Sequence, residues 1–153
     1  MRIVTWNLNG IRAAIRKGLD DFIERIDADI WLLQEVRALP EQLPKDWSLP
    51  AEQECIWHPA EKKGYSGVAT WSRVGLVEQG KGIGTRLDPN DSEGRVLHTK
   101  CGPLDCINIY LPNGGSGPAR QAYKDPWLED LLLWAPQFLN SDEPAILVGD
   151  LNI

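Results

Sequence analysis

Cysteine, histidine and long apolar runs are all scarce in this chain of 153 residues. The three cysteines, Cys55, Cys101 and Cys106, are odd in number and form no Cys-x-x-Cys pair. That spacing suggests neither a disulfide framework nor a zinc site, and small buried thiols in a reducing compartment are expected instead. No apolar run has the length of a bilayer span. The opening Met1-Arg2-Ile3-Val4-Thr5-Trp6 is too short and too polar for a signal peptide. A cytoplasmic protein with no membrane partner is therefore expected. Internal repeats, low-complexity tracts and linkers are absent as well, which leaves one domain's worth of chain.

Composition is that of a soluble globular protein, 42% hydrophobic and 25% charged. The formal net charge of -6 argues against coating nucleic acid through an overall field. It still permits an acidic metal site with a local basic rim, because carboxylates belong at a metal and arginine or lysine beside phosphates.

Periodicity gives the order of elements. Ile3 to Trp6 reads as a strand. Ile11, Ala14, Ile15, Leu19, Phe22, Ile23 and Ile26 predict one helix, slightly weakened at Gly18, with Arg12, Arg16 and Lys17 on its solvated face. Asp29 to Gln34 reads as a buried strand, followed by an irregular stretch punctuated by Pro40, Pro44 and Pro50. Cys55 to His58, Gly67 to Ser72 and Val74 to Gln79 are further strands, and Gly80 to Asp91 is mostly loop. Arg95 to Lys100 and Leu104 to Tyr110 flank Cys101-Gly102-Pro103 as a hairpin. In its second strand Leu104, Cys106 and Asn108 face one way and Asp105, Ile107 and Ile109 the other. Ala119 to Leu139 is largely helical, with Asp125-Pro126 suited to a helix start and Pro136 expected to bend or end it. Ala145 to Val148 is a last buried strand. This order implies an α/β or α+β arrangement.

Several apolar strands end in polar residues that a core does not need. Asn7 follows Trp6, Glu35 follows Gln34, Tyr110 follows Ile109, and Asp150 and Asn152 follow Val148. Sites gather at strand ends, where the scaffold is rigid. Two carboxylates with neutral amides suit magnesium, which retains waters. Such an ion polarises a phosphoryl oxygen, Tyr110 can donate a hydrogen bond or attack as phenolate, and Asp150 can orient or deprotonate a water. Taken singly, each residue also has an ordinary reading: a strand-end charge, a turn amide or a half-buried aromatic.

Six ordered motifs then carry a resemblance. Trp6-Asn7-Leu8-Asn9-Gly10-Ile11-Arg12-Ala13, Leu33-Gln34-Glu35-Val36-Arg37, Lys63-Gly64-Tyr65-Ser66-Gly67-Val68-Ala69, Glu93-Gly94-Arg95-Val96, Tyr110-Leu111-Pro112-Asn113-Gly114 and Gly149-Asp150-Leu151-Asn152 resemble those of exonuclease III-type abasic-site endonucleases. These belong to the wider endonuclease/exonuclease/phosphatase superfamily. The resemblance implies a DNase I-like two-layer β-sandwich flanked by helices, with residues 1–153 the amino-terminal part of that single domain. It implies metal-dependent hydrolysis of the DNA backbone 5′ to abasic sites in duplex DNA, with 3′-5′ exonuclease or 3′-phosphodiesterase action beside it, and magnesium or manganese as cofactor.

By the same resemblance Glu35 is the main metal ligand with Asn7 beside it. Asp150 is the residue at the metal that activates water, Asn152 a metal-site and transition-state donor, and Tyr110 the tyrosine near the scissile phosphate. Asn9, Tyr65, Arg95 and Asn113 are DNA-binding or site-organising residues. The family's later tryptophan-arginine segment and its serine-aspartate-histidine motif have no counterpart in this sequence. His58 and His98, each within a predicted strand, are read as structural. Residues 1–153 are accordingly expected to be inactive alone, to leave one face of the first sheet open, and to require the carboxy-terminal half as partner. Two other readings stand beside this one: a non-catalytic half-domain that binds nucleic acid or a complementary polypeptide, and a phosphodiesterase of the superfamily acting on another substrate.

Overall fold

A computed structural model describes residues 1–153, the side chain of Leu139 excepted. One sheet contains β1 (Ile3–Asn7), β2 (Ile30–Gln34), β3 (Glu54–His58) and β4 (Val68–Ser72), in the order β1-β2-β4-β3. The other contains β5 (Val77–Lys81), β6 (Val96–Cys101), β7 (Leu104–Tyr110) and β8 (Ala145–Asp150), in chain order. Two pairings are parallel, β1 with β2 and β7 with β8, and the rest are antiparallel. A parallel pair needs a crossover connection. Helices α1 (Ile11–Arg16) and α2 (Leu19–Ile26) supply the first, and α3 (Pro118–Trp134) with α4 (Pro136–Leu139) the second.

Side-chain alternation assigns the faces. Trp31 and Leu33 of β2 pack outward with Ile11, Leu19, Ile23 and Trp71 under α1 and α2. Ile30 and Leu32 point inward, where they meet Cys101 and Cys106. On β7, Ile107 and Ile109 pack outward with Trp127 and Leu131 of α3, while Cys106 and Asn108 face the other sheet, as the alternation predicts. Each fully buried large apolar side chain contributes about 1.5–3 kcal/mol relative to exposure. The sheets stack with β1 against β8, β2 against β7 and β8, and β4 against β6 and β7.

One polar network lies between the sheets. Gln34 Nε2 donates to Asn108 Oδ1 (2.7 Å), to Thr5 Oγ1 (3.0 Å) and to the Leu32 carbonyl (2.8 Å). Asn108 Nδ2 donates to the carbonyls of Leu33 (3.1 Å) and Ala69 (2.9 Å). A buried network satisfied in this way fixes one register between the layers.

The structure corrects four expectations. The first sheet is not left open on one face, because β5 to β8 cover one side and α1 and α2 the other. The helix over residues 11–26 is two helices, since Gly18 takes a left-handed φ of 90° that an α-helix interior does not accommodate. Asp125-Pro126 does not start a helix. Pro118 takes the first position after Gly117, and Pro126 lies inside α3; Tyr123, Trp127, Leu131 and Trp134 packing on the second sheet offset the missing N–H. The fifth strand begins at Val77 rather than Val74, because Ser72 and Gly75 form a turn in which Ser72 Oγ donates to the Gly75 carbonyl (2.9 Å). That strand takes Gly80 and Lys81 from the expected loop. Pro136 ends α3 as expected.

Candidate active site

Parallel pairing brings both crossover units to the same end of the sandwich. Asn7 ends β1 and pairs with Gln34, which places Glu35 one step beyond it. Tyr110 ends β7 in register with Asp150 at the end of β8. The four side chains meet between the layers. Asn7 Nδ2 donates to Asp150 Oδ2 (2.7 Å) and to Glu35 Oε1 (3.2 Å), and the Tyr110 hydroxyl donates to Glu35 Oε1. Arg37 Nη2 donates to Glu35 Oε2. The Asn9 backbone N–H binds Asn7 Oδ1 (2.9 Å) and so fixes which way that amide points.

Backbone strain concentrates here. Asn9, Glu35, Arg37, Ser66 and Asn152 all have φ between 45° and 50°, a region that costs non-glycine residues energy and persists only where the surroundings enforce it. The enforcement is visible as a ladder beyond the strand ends. Leu8 N–H binds the Gln34 carbonyl (2.9 Å), Gly10 that of Glu35 (2.8 Å), Ile11 that of Val36 (3.0 Å), and Arg37 that of Ser66 (2.9 Å).

Burial pushes the Glu35 carboxyl up, but hydrogen bonds from Tyr110 and Asn7 and the Arg37 charge outweigh it, and the net shift is downward. Glu35 is thus held as a carboxylate. Burial, and then the Glu35 bond and charge, push the Tyr110 phenol up. Of the two roles open to Tyr110, these effects favour the protonated donor over the phenolate.

The remaining expected residues sit around this centre. Asn152 N–H donates to Asp150 Oδ1 (3.0 Å), while its side-chain amide donates to the Leu111 carbonyl (2.7 Å). Asn152 therefore braces Asp150 through its backbone. Arg95 is 1% exposed. Its Nη1 donates to the Tyr110 carbonyl (3.0 Å), its Nη2 to the Tyr65 hydroxyl (3.1 Å), and its guanidinium carbon lies 4.7 Å from the Tyr110 ring centre. That geometry fits the site-organising half of its expected role, since a buried guanidinium presents no face to a phosphate. The Asn9 and Asn113 side chains are exposed; Asn9 joins the centre through its backbone N–H alone, and Asn113 Oδ1 accepts the Gly115 N–H (2.7 Å).

Each histidine is paired with an aspartate. His58 Nε2 lies 2.8 Å from Asp91 Oδ2, which also accepts the N–H groups of Arg95 (2.8 Å) and Val96 (2.9 Å). His98 is 2.7 Å from Asp105 Oδ1. The Asp91 knot holds the Glu93-Gly94-Arg95 turn, where a Cβ on Gly94 would stand 2.6 Å from the His58 carbonyl oxygen.

Sequence reasoning missed a basic hollow beside Glu35. A cavity of about 300 Å³ is lined by Gly10, Arg12, Ala13, Arg16, Arg37 and Gly64. Periodicity places Arg12 and Arg16 on a solvated helix face. Their four-residue spacing, directly after a strand-end motif, was the available signal, and the net charge of -6 masked it.

The sequence profile of the endonuclease/exonuclease/phosphatase family matches residues 4–153. The chain belongs to that family. Similar members include an exodeoxyribonuclease of Bacillus subtilis, 36% identical over 100% of this chain and 59% of that protein. Another is the DNA repair nuclease APEX1 of Danio rerio, 33% identical over 100% of this chain and 49% of that protein. Among solved structures, the 3′-5′ exonuclease of Neisseria meningitidis superposes with a TM-score of 0.82 at 27% identity, covering 100% of this chain and 58% of that one. A Neisseria 3′ phosphatase bound to a product DNA hairpin gives 0.79 at 26% identity, with the same coverage. The chain thus spans about half the length of the relatives it matches. The DNase I-like sandwich expected of this family member is the fold observed.

Among the described residues no group of three or more His, Cys, Asp or Glu side chains gathers to hold a metal. The donor set at the strand ends is two carboxylates joined by an amide. Hard oxygen donors of low number fit a small divalent ion that keeps several waters.

Proposed function

We propose that the protein to which these residues belong is a magnesium-dependent DNA-repair phosphodiesterase that cleaves the backbone 5′ to abasic sites in duplex DNA. The observation that carries this reading is the convergence of Asn7, Glu35, Tyr110 and Asp150 from two sheets, beside a hollow lined by three arginines. The names borne by the relatives, a DNA repair nuclease and an exodeoxyribonuclease, support it.

Glu35 and Asp150 would hold magnesium, with manganese as a substitute, and Asn7 keeps the two carboxylates together. When bound, the ion polarises a phosphoryl oxygen and offsets charge on the leaving oxygen. Asp150, held by Asn7 on one oxygen and by the Asn152 N–H on the other, takes a proton from the attacking water. The water oxygen bonds to phosphorus, the P–O3′ bond breaks, and O3′ gains a proton from solvent. Tyr110, kept protonated, donates toward the phosphate. Arg12, Arg16 and the Arg37 edge of the hollow grip flanking phosphates without reading sequence. The same chemistry at a 3′ end would remove nucleotides or blocking groups.

The test uses a 5′-labelled abasic duplex with magnesium or with EDTA, for the protein and for Glu35→Ala. Magnesium-dependent incision on the 5′ side that Glu35→Ala abolishes supports the reading. Binding without incision would favour the non-catalytic half-domain, and cleavage of intact DNA, RNA or a phosphoinositide in preference would reassign the substrate.

A further inference from the structure

Glu93 occupies an unusual place for a carboxylate outside the Glu35–Asp150 pair. Its Oε2 accepts from Arg95 Nε (2.7 Å) and from Arg120 Nη2 (3.0 Å), and its Oε1 accepts from Arg120 Nη1 (3.0 Å). The Tyr65 hydroxyl lies 3.4 Å from the same Oε1. Arg120 comes from α3, so one carboxylate joins the second crossover helix to the Glu93-Gly94-Arg95 turn and to the Tyr65 loop. A two-pronged arginine–carboxylate grip fixes orientation as well as distance. Burial pushes the Glu93 carboxyl up, but Arg120 and Arg95 more than reverse this, and it remains ionised.

Arg95 passes that constraint on. Its side chain, 2% exposed, has one counter-charge, Glu93, and its other donors reach the Tyr110 carbonyl and the Tyr65 hydroxyl. Tyr110 is therefore held from behind by Arg95 and in front by Glu35. Arg95 thus meets Tyr110 at its carbonyl and at its ring, while the hydroxyl reaches Glu35. Arg120 also lies over the Tyr123 ring, 4.6 Å from its centre.

We propose that Glu93 and Arg120 are positioning residues that act through Arg95 to seat the Tyr110 hydroxyl on Glu35. The proposal rests on the phosphodiesterase reading only for its effect on turnover; the geometric link stands without it.

The three tyrosines of the sequence, Tyr65, Tyr110 and Tyr123, all touch this network, so 3-fluorotyrosine labelling gives a direct readout. Each fluorine signal is assigned by replacing one tyrosine with phenylalanine. The deciding variant is Arg120→Ala, which removes neither member of the buried Glu93–Arg95 pair and is expected to fold. Glu93→Gln, which leaves a buried guanidinium without its counter-charge, is the second. In Arg120→Ala the Tyr110 signal should move, although Arg120 does not touch Tyr110. The turnover number on abasic duplex should fall roughly tenfold with KM nearly unchanged, as expected for a small misplacement at the reacting centre. Arg120→Lys, which keeps the charge but loses the two-pronged grip, should fall between. A Tyr110 signal that stays put in Arg120→Ala, or one that moves while turnover is unchanged, overturns the proposal. If the unaltered protein makes no incision, the functional reading fails. The fluorine signals then decide the link alone: movement in Arg120→Ala supports it and constancy ends it.

Discussion

The two crossover units are built alike and held differently. β1-α1-α2-β2 and β7-α3-α4-β8 each pair two parallel strands, and each delivers one neutral side chain and one carboxylate: Asn7 with Glu35, Tyr110 with Asp150. In both sheets one of the two strands is internal and the other forms the edge. The internal strands present Tyr110 and Glu35, which bond each other, and the edge strands present Asn7 and Asp150, which bond each other. Glu35 follows a strand buried along its whole length and has the ladder from residues 8–11 and 66–67 behind it. Asp150 ends a strand that pairs on one side only and exposes Leu147. The two carboxylates are thus held by different means, Glu35 by a backbone ladder behind its strand end and by Arg37, Asp150 by the Asn7 amide on one oxygen and the Asn152 N–H on the other.

Four experiments can break that comparison, taken from the largest expected effect. Asp150→Asn keeps the shape but removes the proton acceptor, so incision of abasic duplex should slow by about 10²–10⁴-fold with little change in melting temperature. A loss under tenfold would deny Asp150 the proton-accepting role. Next, Gly149→Ala attacks the edge strand's approach: a Cβ there would lie 1.8 Å from the Ile109 carbonyl oxygen, at a φ of 152°. Unfolding in urea should show a loss of about 2–4 kcal/mol, and an unchanged midpoint would mean that β8 does not need its close seat. Asn108→Ala removes the inter-sheet amide that pairs with Gln34 and two carbonyls. The loss of stability should be about 1–3 kcal/mol, and a fully stable variant would show that packing alone sets the register.

The smallest effect concerns pH. The folded pKa of Glu35 lies below its unfolded value, with burial opposed by Tyr110, Asn7 and Arg37. Its contribution to stability is therefore complete above the ordinary glutamate range and is lost as pH falls through the lowered folded value. Metal-free protein should lose stability on acidification in that window, and Glu35→Gln should show a shallower slope. Equal slopes would mean that the anchored carboxylate gains nothing from its partners.

Much of this architecture was legible beforehand. Strand alternation on β7 correctly separated Cys106 and Asn108 from Ile107 and Ile109, because a period of two is a property of the local backbone. The strand-end residues Asn7, Glu35, Tyr110 and Asp150 stood out because an apolar run followed by a polar residue is a local pattern too. Arg95 stands in a legible motif, but its burial depends on Tyr110 and Tyr65, 15 and 30 residues away, as well as on Glu93. Glu93, Arg12 and Arg37 stand within the six motifs, but the Glu93–Arg120 pairing and the grouping of Arg12, Arg16 and Arg37 around one hollow depend on distant segments in the same way. The break at Gly18 and the continuity through Pro126 turned on how the helices pack over the sheets, a matter on which intrinsic propensity is only a weak prior.

By itself the sequence determined the order of strands and helices, the faces they bury and the chemical kinds present at their ends. These follow from backbone geometry and solvent exclusion acting over a few residues. Only the tertiary structure decided that Asn7 meets Asp150 across 143 positions, that Tyr110 is a donor, and that one carboxylate holds two arginines. Those contacts depend on how two sheets stack, and stacking is set by the packing of the whole chain rather than by any one segment of it.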